Sequence, residues 1–189
     1  MKFKKSYVYL HFLIINPLLN ILPFFWIDVS YDNQSYIGNQ LGHTIYLVLW
    51  AISSALGFYF YSKHIWNKYR IYYHKHLHKI ICLAMCISCI IPYSDTLAFW
   101  INDLHVWIAV AAVFLFILEW IRAYFDPACY VDTSLQKHLQ YLFLLFSICT
   151  LVLFGLGHVT SLSEILFSTL INLYLGIWYV KNAKKKKAF

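Results

Sequence analysis

Six stretches of this chain are strongly apolar and about as long as a helix must be to cross a bilayer, which takes about 20 residues. They cover 7–26, 44–62, 79–98, 105–124, 138–158 and 163–180. The hydrophobic fraction is 61% and the charged fraction 12%, against roughly 45–50% and about 25% in soluble domains. A chain of 189 residues has too little interior to hide so much apolar surface, so lipid must solvate much of it. The expectation is an all-α polytopic integral membrane helix bundle of about six transmembrane helices, forming a single transmembrane domain over 1–189. The first stretch follows MKFKK but carries Pro17 and Pro23 and has no small-residue cleavage site before Trp26, so it is expected to remain as a span. The third weakens early, at Pro92, Ser94 and Asp95.

The charges orient these spans. All 15 Lys and Arg fall in four places: Lys2, Lys4 and Lys5; Lys63, Lys68, Arg70, Lys75 and Lys79; Arg122 and Lys137; Lys181 and Lys184 to Lys187. The three alternate loops hold Asp28, Asp32, Asp95, Asp103 and Glu164 instead. Lys and Arg are retained on the cytoplasmic side, so both termini are expected in the cytosol. The formal charge of +7 is thereby a topology signal that also attracts anionic lipid, and no nucleic-acid partner is expected. Membrane lipids are the expected partners, with a membrane protein as a further one. The compact size favours a bacterial cytoplasmic membrane. Lys186 and Lys187 near the end of KKKKAF would read as an endoplasmic-reticulum retrieval signal in a eukaryote.

The stretch HKHLHKIICLAMCISC gathers the side chains that bind zinc, copper and iron. At about 100° per residue, His78, Cys82, Cys86 and Cys89 share one helical stripe, but they spread over roughly 16 Å of rise. The spacing lacks the paired knuckles of a structural zinc site. Small apolar cysteines at a helix contact, beside interfacial His74 and His76, are the simpler account. Neither Cys129 nor Cys149 adds a ligand set, and thiols on the cytosolic side or within lipid are not expected to form disulfides.

The opposite surface offers a stronger constellation. His43 opens the second span, His105 the fourth, and His158 ends the fifth, with Asp95, Asp103 and Glu164 nearby. Such a set suits a polar or metal site, or a proton-sensitive network. Alternatively Asp103 or Asn102 caps the fourth span and Ser163 the sixth. Within the bilayer, Glu119 stands three residues before Arg122, so the two are expected to pair on one helix face. Asn16, Asn20 and Asn172 are expected to hydrogen-bond between helices, and His11 to be interfacial. A phosphate loop, a G-x-S-x-G elbow and H-E-x-x-H are all absent from the sequence, which leaves no enzyme motif to build on.

The polar turn with Pro92 and Asp95, His105 opening the fourth span and Glu164 opening the sixth after Gly157 resemble the Frag1/DRAM/Sfk1 group of six-span membrane proteins. That resemblance implies a role in membrane-lipid organisation or trafficking and no settled catalytic residues. Taken together, the sequence is read as a non-catalytic accessory protein associated with lipid or a small molecule, with no cofactor. The alternatives are a small transporter whose path Asn16, Asn20 and Glu119 would line, or a metal-dependent membrane enzyme using the outer histidines.

Overall fold

The computed structural model describes residues 4–92 and 98–183, and every regular element among them is helical. In chain order these are α1 (Lys5–Leu10), a π-helical turn (His11–Ile15), α2 (Asn16–Ile21), a 3-10 turn (Leu22–Phe25), α3 (Gln34–Asn39), α4 (Thr44–Tyr69), α5 (Lys75–Ser88), α6 (Phe99–Tyr124), α7 (Pro127–Val131), α8 (Thr133–Leu156) and α9 (Ser161–Ala183). Among the described residues, five helical runs are long and apolar enough to cross a membrane: Lys5–Phe25, Thr44–Tyr69, Phe99–Tyr124, Thr133–Leu156 and Ser161–Asn182. The third apolar stretch forms only α5, 14 residues long. At 1.5 Å per residue it measures about 21 Å, short of a hydrocarbon core of about 30 Å. Its last residues expected to be apolar, with Asp95, lie outside the described residues.

Prolines shape the first run. Pro17 has no N–H, and its ring would clash with the Leu13 carbonyl; the π turn over His11–Ile15 widens the backbone at that carbonyl. Pro23 likewise leaves the Leu19 carbonyl without a backbone donor, and the Tyr46 hydroxyl bonds it from α4 at 3.0 Å. The other ends follow ordinary capping chemistry. Asn33 caps α3 through the Tyr36 amide, Asp126 caps α7 through Ala128, and Asp132 caps α8 through Leu135. Thr160 and Ser163 bond each other's amides reciprocally where α9 begins, so Ser163 contributes to the cap of the last span. Asp103 and Asn102 do not cap α6, because that helix begins earlier, at Phe99. Gly157 closes α8 with φ +76°, a conformation costly for residues with a Cβ.

Packing places α4, α5, α6, α8 and α9 in a ring, each against the next and α9 back against α4. The first run lies in the groove between α4 and α9. Two glycines make that groove deep enough: a Cβ at Gly57 would strike Asn172 and His11, and one at Gly176 would strike the Phe12 ring. The end of the ring near Lys68 and Asn182 is filled with aromatic side chains. Trp66, Trp120 and Trp178 are buried in sequence across it, with ring centres 4.9 and 5.8 Å apart. Phe58 meets Phe116 and Phe167, and Phe167 stacks on Phe146. Indole rings supply large apolar area at a helix junction, so this half of the bundle is solid. The other half is hollow.

Candidate functional site: a cavity in one half of the bundle

Between the aromatic layer and the opposite end, the ring encloses a cavity of about 550 Å³. Phe58 and Phe167 lie at its base, Ser54 and Ser168 on its wall, and Gln34, Ser35, His105, Ser163 and Glu164 among its polar lining. That volume falls within the range of small-molecule pockets, about 300–1,000 Å³. On one side α6 and α8 touch through Phe116–Phe146 and Tyr124–Phe143, and above those contacts the cavity separates them. Val106, Val110 and Phe114 line it while remaining 41–58% exposed. The cavity is therefore not sealed on that flank.

Its polar end is built by the loop before α4. The Asp32 and Val29 carbonyls accept the first two free amides of α9, from Ser161 (2.6 Å) and Leu162 (2.8 Å), which a helix N-terminus would otherwise leave unpaired. This clamps α3 over the bundle, with Ile37 fully buried and Gly38 against Leu47. The Gln34 amide then donates to Glu164 Oε2 at 2.8 Å. The Ser35 hydroxyl donates to His105 Nε2 at 2.8 Å, and His105 Nδ1 donates to the Ile91 carbonyl at 3.2 Å. A carbonyl can only accept, so this contact places a proton on His105 Nδ1. Gln34 Nε2 is buried without a partner.

The structure thus gathers His105, His158 and Glu164 from the expected outer constellation onto one cavity. His158 is exposed at its edge, between the Tyr31 and Leu156 carbonyls at 2.9 and 3.0 Å. His43 stands apart, stacked on Trp26 at 4.6 Å. Asp103 lies partly buried on α6 and does not line the cavity. Asp95 is outside the described residues. Sequence reasoning missed Gln34 and Ser35. Their available signal was Asn33, a capping residue followed by a short apolar pattern ending at Ile37.

Two further polar groupings lie apart from the cavity or merge with its wall. Asn16 and Asn20 both donate to Ser168 Oγ at 3.2 Å, Trp50 Nε1 donates to Asn20 Oδ1 at 2.9 Å, and Asn172 donates to the Ser168 carbonyl at 2.9 Å. Beside them the Tyr61 hydroxyl donates to His11 Nδ1 (2.7 Å) and His11 Nε2 to the Ser53 carbonyl (2.9 Å). His11 is therefore half-buried between helices, not simply interfacial. The second grouping corrects the expected Glu119–Arg122 pair. Glu119 meets His78 Nδ1 at 2.6 Å, and Arg122 lies over the Tyr72 ring at 5.2 Å. The reason is rotation: α5 and α6 pack with His78 facing Glu119 inside the ring. His78 Nε2 donates to the Tyr59 carbonyl at 3.3 Å, and Tyr59 and Trp66 flank its ring.

Of the stripe, His78, Cys82 and Cys86 lie on α5 and Cys89 ends it, with His78 committed to Glu119. Among the described residues no group of three or more His, Cys, Asp or Glu is placed to hold a metal ion. Outside the spans, burial together with Asp126 and Asp132 pushes the Cys129 thiol up to about 11.

The fold and cavity define a bundle of helices, five of them among the described residues long and apolar enough to cross a membrane, with a half-open internal chamber. Comparison with protein-family models, with curated proteins and with solved structures finds no match to this chain.

Proposed function

We propose that this chain is a six-pass membrane protein with both ends in the cytosol, which binds a small amphiphile from the bilayer and acts without chemistry of its own. The cavity carries the reading: apolar walls, one polar end, and a flank between α6 and α8 where a lipid-soluble molecule can enter. The short α5 counts as the sixth crossing, because His78 meets Glu119 near one end of α6 and Ile91 meets His105 near the other. The basic residues Lys63, Lys68, Arg70 and Lys75 gather where α4 ends and α5 begins, which supports a cytosolic placement of that end.

Binding is preferred to passage because an aromatic layer fills the bundle beneath the cavity. Asn16, Asn20 and Glu119, expected to line a transport path, are instead engaged in interhelical hydrogen bonds. The implied kinship with Frag1/DRAM/Sfk1 proteins in membrane-lipid organisation accords with this reading and is part of the proposal.

The test is lipid analysis of the chain purified in a mild detergent, beside Ala109→Trp, which places an indole in the cavity from α6. The expected result is one amphiphile class retained near one per chain and lost in the variant. Identical bound lipid in both proteins would overturn the assignment.

A further inference from the structure

We infer that His158 is a proton-operated latch on the lid of the chamber: as an imidazolium it ties the loop before α3 to the end of α8, and as a neutral ring it releases one of the two. This goes beyond ligand binding and holds whether or not the chamber is occupied. The lid is the segment from Asp28 through α3, which brings Gln34 and Ser35 to the polar end of the cavity. His158 Nε2 lies 2.9 Å from the Tyr31 carbonyl in that loop, and Nδ1 lies 3.0 Å from the Leu156 carbonyl at the end of α8. A carbonyl oxygen only accepts, and a neutral imidazole carries a single N–H. Both contacts are therefore hydrogen bonds only when both ring nitrogens are protonated. Turning the ring over would set Cδ2 and Cε1 against the two oxygens and forfeit both bonds, so the assignment does not hang on ring orientation.

The position suits a cation. Leu156 is the last residue of α8, and the free carbonyls of a helix C-terminus attract positive charge. The Tyr31 ring stands edge-on to His158, with centres 5.6 Å apart. The charged and titratable groups on the elements around it are Asp28 and Asp32 in the loop, Tyr36 on α3, Asp103 and His105 on α6, Glu164 on α9, and Cys149 on α8 itself. Among the described residues no carboxylate forms an ion pair with His158. Asp28 accepts from the Ser30 amide, Asp32 from the Asp28 amide and Glu164 from the Gln34 amide. Arg122, Lys137 and Lys181 stand at the other ends of α6, α8 and α9. Histidine exchanges its proton between about pH 5 and 8. In acid both bonds are made. As the pH rises either neutral tautomer keeps one bond and leaves the other carbonyl to water. The tautomer that lacks the Nε2 proton frees the loop from α8, while the Val29 and Asp32 carbonyls still hold it to α9. The lid thus loosens on its α8 side, toward the open flank between α6 and α8.

The experiment is amide hydrogen exchange of the full chain in a neutral detergent, read by mass spectrometry near pH 5 and near pH 8, with exchange times scaled to the intrinsic rate at each pH. Peptides covering 28–36 and 157–164 report the lid, since they hold the Gln34, Ser161 and Leu162 amides that dock it. Their protection is expected to be about tenfold higher at the acid pH, the value of one hydrogen bond near 1.4 kcal/mol. Peptides from the middle of α4 and α9 should show no such step. His158→Phe keeps a ring of similar shape and removes both donors, so the lid peptides should exchange at the faster rate at both pH values. Melting temperatures report whether the variant is folded. Should His158→Phe melt below the parent, His158→Gln, which keeps an N–H donor and cannot titrate, should likewise abolish the step. Equal protection of the parent at both pH values, or higher protection at the alkaline one, would overturn the latch. A step that survives in both variants would assign the pH response to another group, such as His105 or Glu164, and overturn the role of His158.

Discussion

Replacing Gly57 with alanine tests whether the groove between α4 and α9 is as close as described. In the interior of a helix free of such contacts, Gly→Ala stabilises by up to about 1 kcal/mol, because glycine loses more backbone entropy. Here the new Cβ would overlap the Asn172 side chain and lie 2.9 Å from the His11 ring. Something must move, and overpacking of this kind costs about 1–3 kcal/mol. Displacing Asn172 also disturbs its interhelical bond to the Ser54 carbonyl, at about 0.6 kcal/mol for such a bond in a membrane. The sum is a loss of about 2–4 kcal/mol, opposite in sign to the propensity effect. The assay is reversible unfolding in mixed detergent, run as a double-mutant cycle with Asn172→Ala, which vacates the space. A coupling of about 1–3 kcal/mol is expected, within the range for residues in contact. Additive single effects, or a stabilising Gly57→Ala, would refute the packing argument.

His78→Leu should cost about 3–5 kcal/mol in the same unfolding assay, because it strands a buried Glu119. The pair His78→Leu with Glu119→Leu should cost clearly less than that single change, and an equal or larger loss would show that the His78–Glu119 contact is not the operative one. Cys129 should resist maleimide at pH 8 in the folded protein. With its thiol near 11, about one molecule in a thousand is thiolate at that pH. Labelling should rise with pH toward 11 and on unfolding, and full modification of the native chain at pH 8 within minutes would contradict the burial.

The sequence by itself determined that the chain folds into long apolar helices. Apolar length is a local sum along the chain, so five of the six expected spans were legible from residue types, while the third was drawn too long because α5 has only 14 residues. Ser163 at the start of α9 and the interhelical work of Asn16 and Asn20 were also readable, because a polar amide in lipid must find a partner. Tertiary structure decided the rest. In this bundle both the outward and inward faces are apolar, so hydropathy carries little information about helix rotation. For that reason the sequence paired Glu119 with its neighbour Arg122, while packing turned it toward His78 on α5. The same blindness hid the hollow half of the ring, since cavity-lining Val110 and outward-facing Leu118 look alike as letters. Gln34 and Ser35 sit in a loop that composition assigns to water. They are buried because the carbonyls of Val29 and Asp32 satisfy the first amides of α9 and draw α3 over the cavity. No local pattern specifies that contact between segments some 130 residues apart.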